Sequence, residues 1–481
     1  MIMMERLRNS SFMISLILLV AALFTSNQYI GYFISLLIIA LISVNWKSAI
    51  FVLIIYFPIR PFLIEMNPGL KYLGDEIICV LFFLIVIQKV IIHKERFGRT
   101  FLFSVFFLLF CLIGVVSAFI TGVEITSIIF QIRAFVLTFL CMFIISELKI
   151  TEKDIAQFFL VTVCLATVLS VHGLIEKLSL RTLLLPEAWV QMDLAETNRI
   201  RIYGLAGNPN ILATYLMISF FSIFYLIKKF DRFKPLLYVI ATLIFGVVLL
   251  TYSRGTILSF AIAYLVFIAA TRQWKLVKSQ TIVIAAALFI IFLPTAYTAE
   301  YIENHFNDKQ LAEQSQKKIH KENRYFDMFS DDTISKSTEG GRIFIIKKGI
   351  EIFKEHPLIG TGFGTYGDSA SWAFGSPILK AYGIQNPIYS DNQYIQILVQ
   401  SGVVGALFFF LFFVMVIITI IRSNREKMEK WIVLAFLIVG ATAAVFYNIL
   451  EDKTFTLYFY IVLGFLLNKH RKFSLPFNQK M

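Results

Sequence analysis

Two arginines stand just ahead of a glycine-rich turn in Arg199-Ile200-Arg201-Ile202-Tyr203-Gly204-Leu205-Ala206-Gly207-Asn208-Pro209-Asn210, which leads straight into an apolar stretch. Guanidinium forks chelate phosphate oxygens in pairs, and a helix amino terminus adds amides that no helical carbonyl accepts, so the arrangement suits an anion. The plainer reading is that Asn208 or Asn210 caps the helix and the arginines meet lipid head groups. A second grouping, Tyr252-Ser253-Arg254-Gly255, is a tight turn between two apolar stretches. Such a turn needs Gly and Ser but no arginine, which there either has an anionic partner or snorkels to an interface. In the third, Glu339-Gly340-Gly341-Arg342 opens an amphipathic segment that ends at His356-Pro357-Leu358-Ile359-Gly360-Thr361-Gly362-Phe363-Gly364-Thr365-Tyr366. Its glycines resemble a phosphate cradle, but without a strand before and a helix after them they equally mark close backbone packing. His356, alone before a proline, reads as structural. The fourth is Ser390-Asp391-Asn392-Gln393-Tyr394, followed by Gln400-Ser401-Gly402-Val403-Val404-Gly405. Asp391 and the amides beside it either cap a helix or supply a general base whose pKa desolvation raises and nearby arginines lower.

The elements that must hold these groups are dictated by composition. Of 481 residues, 58% are hydrophobic and only 16% charged, too apolar for a soluble domain, in which about 25% of residues are charged. The apolar stretches are continuous rather than alternating over roughly 10 residues, which excludes a transmembrane β-barrel and leaves an all-α, polytopic helix bundle. Fourteen stretches qualify, near 10–25, 29–45, 47–64, 75–92, 99–120, 128–147, 155–175, 208–227, 235–250, 256–271, 277–298, 392–421, 430–447 and 454–468; a bundle of about 12–14 spans is expected. The first is preceded by Arg6 and Arg8 but lacks a small-x-small cleavage site, so it is read as retained.

Lys and Arg then alternate between loops as the positive-inside rule requires. Arg6 and Arg8, Lys94-Arg96-Arg99, Lys149 and Lys153, Lys228 to Lys234, Arg272 to Lys278, Arg422 to Lys430 and Lys469-Arg471-Lys472 share one side, taken as cytoplasmic with both termini. The net charge of +13 is therefore mainly a topology signal and not a nucleic-acid patch. Two long segments, 176–207 and 299–391, fall on the outer side of the membrane. The chain divides into an amino-terminal bundle (1–175), a membrane core with arginine-bearing outer loops (176–298), the large outer loop (299–391), carboxy-terminal spans (392–468) and a cytoplasmic tail (469–481). The second half of the large loop is expected to fold. Cys79, Cys111, Cys141 and Cys164 are isolated within apolar stretches and read as packing residues.

Four weak motifs in a fixed order on one side of the membrane are together specific. Gly204-Leu205-x-Gly207-Asn208-Pro209-Asn210-x-Leu212-Ala213, Ser253-Arg254-Gly255, Gly341-Arg342 with His356-Pro357-x-x-Gly360-x-Gly362, and Asp391-Asn392-x-Tyr394 with Gly402 and Gly405 resemble the O-antigen ligase and polysaccharide polymerase family, over roughly residues 190–450. The resemblance implies a glycosyltransferase that moves a glycan from a polyprenyl-pyrophosphate donor to an acceptor hydroxyl, without cofactor, metal or nucleotide sugar. Its partners would be these glycans, membrane lipid and other polysaccharide assembly proteins. It assigns the pyrophosphate to Arg201, Arg254 and Arg342, with Arg199 as a substitute for Arg201, and support to Asn208, Asn210, Asn392 and Tyr394. The ligase branch places a histidine with ten residues between it and a glycine at the start of the late span; here Asp391 stands there, with ten residues before Gly402. That makes Asp391 the base by position and tilts the reading toward a polymerase, of a capsular or teichuronic-acid-type polymer.

Other charged residues have plainer readings. Asp75-Glu76 is expected to cap a helix, favoured by its dipole, and Asp331-Asp332 to be solvated. Arg133, costly inside a span, is a functional candidate by default and is placed in a groove for the lipid donor. Two other classes stay open: a transporter or flippase for lipid-linked oligosaccharide, which usually shows internal repeats and midplane polar residues not evident here, and a structural scaffold.

Overall fold

The computed structural model describes residues 2–92, 102–194, 196–311 and 341–468. Lys94-Arg96-Arg99, Lys469-Arg471-Lys472, Asp331-Asp332 and Glu339-Gly340 lie outside the described residues. Each apolar stretch is helical: α1 (Ile2–Ala22), α2 (Gln28–Val44), α3 (Trp46–Met66), α4 (Leu73–Val86), α5 (Leu102–Ile120), α6 (Ile125–Glu147) and α7 (Glu152–Leu178) come first. Two one-turn helices, α8 (Glu187–Val190) and α9 (Glu196–Arg199), precede α10 (Pro209–Lys229), α11 (Lys234–Leu250), α12 (Arg254–Thr271), α13 (Trp274–Ala286) and α14 (Leu293–Leu311). Then follow α15 (Arg342–Glu355), α16 (Ser369–Phe374), α17 (Pro377–Ala381), α18 (Gln393–Arg422), α19 (Lys427–Ala443) and α20 (Lys453–Leu467). Among the described residues nine helices are long and apolar enough to cross a membrane, and three shorter apolar ones accompany them. The chain is a multi-pass, all-α membrane protein.

Short polar caps fix where the helices begin. Thr151 and Asp154 form a capping box at α7, Asn208 caps α10, Asn392 caps α18 and Asp452 caps α20, each engaging amides that the first turn leaves without a helical acceptor. Between the caps, α18 runs along α5, α20 along α6 and α12 along α19, and one continuous core rich in Phe and Ile joins them. At one end of the bundle α3 meets α7 through Lys47 and Asp154, 2.5 Å apart, and Asn468 closes on the carbonyls of Ile145 and Leu148. The other end carries the long segments and is here called the loop-rich end.

Residues 341–392 build a small second core from Ile345, Ile352, Tyr366, Ile378, Leu379 and Ile384, against Val399 of α18. The glycine-rich strap between α15 and α16 is not a phosphate cradle. The amides of Thr361 and Gly362 bond the carbonyls of Val399 and Gln400, both at 2.8 Å, and the Phe363 amide bonds that of Gly114 at 3.0 Å. In return the amides of Val403 and Val404 bond the carbonyls of Pro357 and Leu358 at 2.8 and 3.0 Å. Gly402, at φ +60°, interrupts α18 to make this exchange possible. A Cβ on Gly362 would lie 2.1 Å from the Ala118 backbone, so the spacing of glycines records close contact, and the amides an anion would need are engaged.

Candidate functional site

Arg201 joins the first two groupings. Its Nε donates to the Thr251 carbonyl at 2.9 Å, and one terminal nitrogen lies 2.9 Å from both Asn210 Oδ1 and Ser253 Oγ. Ser253 Oγ is in turn 2.9 Å from the Pro209 carbonyl. The turn before α12 is thereby fastened to the first turn of α10, and Arg254, the first residue of α12, is presented beside it. The stretch that delivers Arg201 is itself held by Glu176 of α7, a fully buried carboxylate that accepts the amides of Tyr203 and Gly204 at 3.1 and 2.6 Å and pairs with Arg181 at 2.6 Å. Sequence reading missed Glu176 and Arg181; a carboxylate at the end of an apolar stretch was the signal.

Asn208 and Asn210 divide their labour. Asn208 Oδ1 accepts the amides of Asn210 and Ile211, and the Leu212 amide bonds the Asn208 carbonyl. The expectation of unengaged helix-end amides for an anion therefore fails here: proline has no N–H, and the cap takes the next ones. Asn210 instead receives Arg201. Arg199 lies apart from this cluster, about two-thirds exposed, with its guanidinium 3.5 Å from Asp193 and on the Leu194 carbonyl. The structure brings Arg201, not Arg199, to the site.

The third and fourth groupings meet as an ion pair, Arg342 Nε to Asp391 Oδ2 at 3.7 Å, both side chains about half exposed. Partial burial raises the Asp391 carboxyl from its ordinary value and the Arg342 guanidinium opposes the rise. Asp391 sits at φ +46°, left-handed backbone that Asp tolerates better than most residues. Asn392 caps α18, accepting the amides of Tyr394 and Ile395, both at 3.1 Å, and donating to the Val445 carbonyl at 3.3 Å. Tyr394 donates to the Ala441 carbonyl at 2.7 Å.

The hub of the site is a segment that carried no motif, the turn 444–452 between α19 and α20. Gln393 donates its amide to Ala444 at 2.8 Å and accepts that of Leu450 at 3.0 Å; Gly255, next to Arg254, packs on the Phe446 side chain; and Tyr447 Oη lies 2.9 Å from Thr214 Oγ1 of α10. Arg254 and Asp391 thus each adjoin a residue anchored on Val445 or Phe446. Ser390 and Gly367 are tied to Asn448. Glu451 accepts Gln131 Nε2 at 2.9 Å, Gln396 Nε2 at 2.5 Å and the Ser369 amide at 2.9 Å.

Arg133 and Asp75 find each other. Asp75 does not cap α4; the cap position is Tyr72, with no side-chain bond. Its carboxylate lies 2.7 Å from Lys453 Nζ and 3.3 Å from Arg133 Nε, because two cations brought into the bundle need a counter-ion more than a helix end does. Arg133 lies across the Phe130 ring and lines a cavity with Arg60, Lys453 and Glu451, apart from the Arg201 cluster.

One comparison matches part of the chain. Residues 239–410 fit the family model described as O-antigen ligase. Over this part of its length the chain is similar to the O-antigen ligase family. Comparison with curated proteins and with solved structures gives no match. The O-antigen ligase span reaches from within α11 into α18 and so contains Arg254, Arg342 and Asp391. It is narrower than the motif resemblance: Arg201, Asn208 and Asn210 precede it and the 444–452 turn follows it, although both are bonded to it.

Proposed function

We propose that this O-antigen ligase-type protein is a glycosyltransferase that extends a cell-surface polysaccharide at the outer face of the membrane, taking glycan from a polyprenyl-pyrophosphate carrier. The observation that supports it most is that Arg254 and Asp391 each adjoin a residue held on the 444–452 turn, with Arg201 bonded to Ser253 beside Arg254 and Arg342 paired with Asp391. In the reaction an acceptor hydroxyl oxygen bonds to the anomeric carbon of the donor, the bond from that carbon to the pyrophosphate oxygen breaks, and polyprenyl pyrophosphate leaves with the electron pair. Asp391 takes the hydroxyl proton. Negative charge grows on the leaving oxygen, and guanidiniums already in place stabilise it without a metal. The long Arg342–Asp391 contact lets the guanidinium turn to an arriving pyrophosphate and leaves the carboxylate more basic for its task. The polymerase branch is favoured over the ligase branch by Asp391 standing where the ligases place a histidine.

The test is turnover by the purified chain in nanodiscs, given a polyprenyl-pyrophosphate oligosaccharide and followed by product length and carrier release in the presence of a chelator. Extended product is expected from the wild type and none from Asp391→Ala or Arg254→Ala, with protein levels unchanged. Full product from both variants would remove this mechanism. Carrier crossing the bilayer without a new glycosidic bond would favour a flippase.

A further inference from the structure

Two aromatic rings lie face to face at the surface of the 341–392 segment. Trp372 of α16 stacks on Tyr389, with ring centroids 4.8 Å apart and planes inclined by 21°, and both side chains stay exposed, at 48% and 39%. Phe374, two residues on and 45% exposed, meets Phe130 of α6 edge-on at 5.4 Å. The backbone beneath the rings is held at many points. Asp368, fully buried, forms a capping box with Ser371 at the start of α16 and also accepts the Gly364 amide at 2.7 Å and Gln400 Nε2. The Ser369 amide bonds Glu451 at 2.9 Å. On the other side, the Ser390 amide bonds the Gly367 carbonyl at 2.9 Å, and both residues are tied to Asn448. The Tyr389 hydroxyl meets the Ser369 hydroxyl, which itself bonds Glu451. The two stretches that carry the rings are therefore fixed to each other and to the 444–452 turn, and the rings are held at the surface on a rigid footing.

Exposed Trp and Tyr beside a bilayer often form an interfacial belt. Here the neighbours argue for water. Asp391, two residues beyond Tyr389, pairs with Arg342, and both side chains are about half exposed, an open ion pair that belongs in solvent and not in lipid. In water a flat apolar surface gains by being covered. A sugar ring suits it: the carbon–hydrogen faces of the ring are apolar and lie flat on an indole or a phenol, while the hydroxyls at its edge keep hydrogen bonds to water and to nearby polar groups. Two residues of chain reach at most about 7 Å, so a glycan resting on Tyr389 has its neighbouring sugar within reach of Asp391.

We propose that Trp372 and Tyr389, with Phe374 beside them, form a binding platform for the acceptor glycan. The platform rests on the glycosyltransferase reading and deepens it: the arginines hold the pyrophosphate of the donor, and this aromatic surface holds the saccharide that receives its glycan.

Binding is measured without turnover, so that the platform and the reaction can fail separately. The probe is the oligosaccharide obtained by partial acid hydrolysis of the surface polysaccharide of the cells that make the protein, titrated by saturation-transfer NMR against the full chain in nanodiscs. It is expected to bind the wild type. Trp372→Ala and Tyr389→Ala should each weaken it by roughly tenfold, as truncation of a central aromatic contact does, and Trp372→Phe, which keeps a ring, by less. Trp274→Ala, which removes a still more exposed ring at the start of α13, should bind as the wild type does, and inorganic pyrophosphate should not compete. An unaltered melting temperature shows that the variants fold. In nanodiscs of brominated lipid, the emission that is lost in Trp372→Phe should be unquenched. No binding to the wild type, equal binding to Trp372→Ala, competition by pyrophosphate, or bromine quenching of Trp372, the mark of an interfacial belt, would overturn the proposal. Binding as expected by a chain that forms no glycosidic bond would support the platform and count against the transferase alone.

Discussion

Replacing Arg342 by Gln should move the acid limb of the pH–rate profile to higher pH. Arg342 favours the ionised form of Asp391, so its removal raises the carboxyl further and the base becomes protonated at a pH where the wild type still works. At a separation of 3.7 Å, the interaction is worth about 1 kcal/mol in water and about 4 kcal/mol at an effective dielectric constant of 20. Both side chains are about half exposed, which places the pair near the aqueous end of that range, about 1 kcal/mol after screening. One pKa unit is about 1.4 kcal/mol, so the limb should shift by roughly 0.7 unit. The assay is kcat/KM for a polyprenyl-pyrophosphate oligosaccharide between pH 4 and 8 in nanodiscs, for wild type, Arg342→Gln and Asp391→Asn. Arg342→Gln will also lower the plateau by weakening the hold on pyrophosphate, but the midpoint of the limb is independent of its height. Asp391→Asn should have no comparable limb. A limb that stays in place or moves to lower pH in Arg342→Gln would show that Asp391 is not the titrating base.

Three further outcomes follow from single contacts. Arg201→Lys keeps the charge but loses the fork that binds Thr251, Asn210 and Ser253, and turnover should fall on the order of a hundredfold; Arg199→Ala, two positions away on the surface, should stay within about twofold, and equal loss in both would refute the placement of Arg201. Gly362→Ala and Gly375→Ala both put alanine at positive φ, +95° and +78°, but only the first meets a backbone, at 2.1 Å. Thermal unfolding should register about 1–3 kcal/mol for the second, whose ψ of 176° lies in backbone space that is essentially glycine's own, and markedly more for the first; equal shifts would mean that the strap does not pack as described. Asp75→Asn leaves Lys453 and Arg133 without their shared carboxylate and should cost about 3–5 kcal/mol, much of it recovered in Asp75→Asn with Lys453→Met; an unchanged melting temperature in the single variant would contradict the pairing.

The helices were legible because their signal is local. Every apolar stretch read from the sequence coincides with a helix, and the ends agree to within a few residues where a capping side chain is nearby, as at Asn208 and Asn392. What a cap does was legible too, since it depends on residues two or three positions away. The glycine strap was not resolved by pattern alone. Three alternating glycines serve a bound phosphate or a neighbouring backbone equally well, and only the positions of Gly114, Ala118 and Val399, remote in sequence, decide it.

Side-chain partners across helices were the illegible part, and the reason is electrostatic bookkeeping over the whole bundle. Asp75 looked like a helix-start residue because acidic residues favour that place. Its ordinary value there is a few tenths of a kcal/mol to about 1 kcal/mol, far less than leaving buried Lys453 and Arg133 uncompensated. Since no local pattern announces that Lys453, 378 residues away, will land beside it, sequence reading chose the weaker of two competing forces. The same holds for Glu176, which holds the stretch that delivers Arg201, and for the 444–452 turn, whose Ala444 and Val445 carbonyls, Phe446 ring and Tyr447 hydroxyl meet the starts of α18, α12 and α10. A backbone carbonyl acts in the same way whatever its side chain, so that part of the hub leaves no residue signature, and its side chains, Phe446 to Glu451, meet partners too remote in sequence to form a pattern. The proposed reaction therefore depends on two kinds of residue: guanidiniums and a carboxylate, which chemistry makes visible in a sequence, and the groups that set their angles, which only the fold reveals.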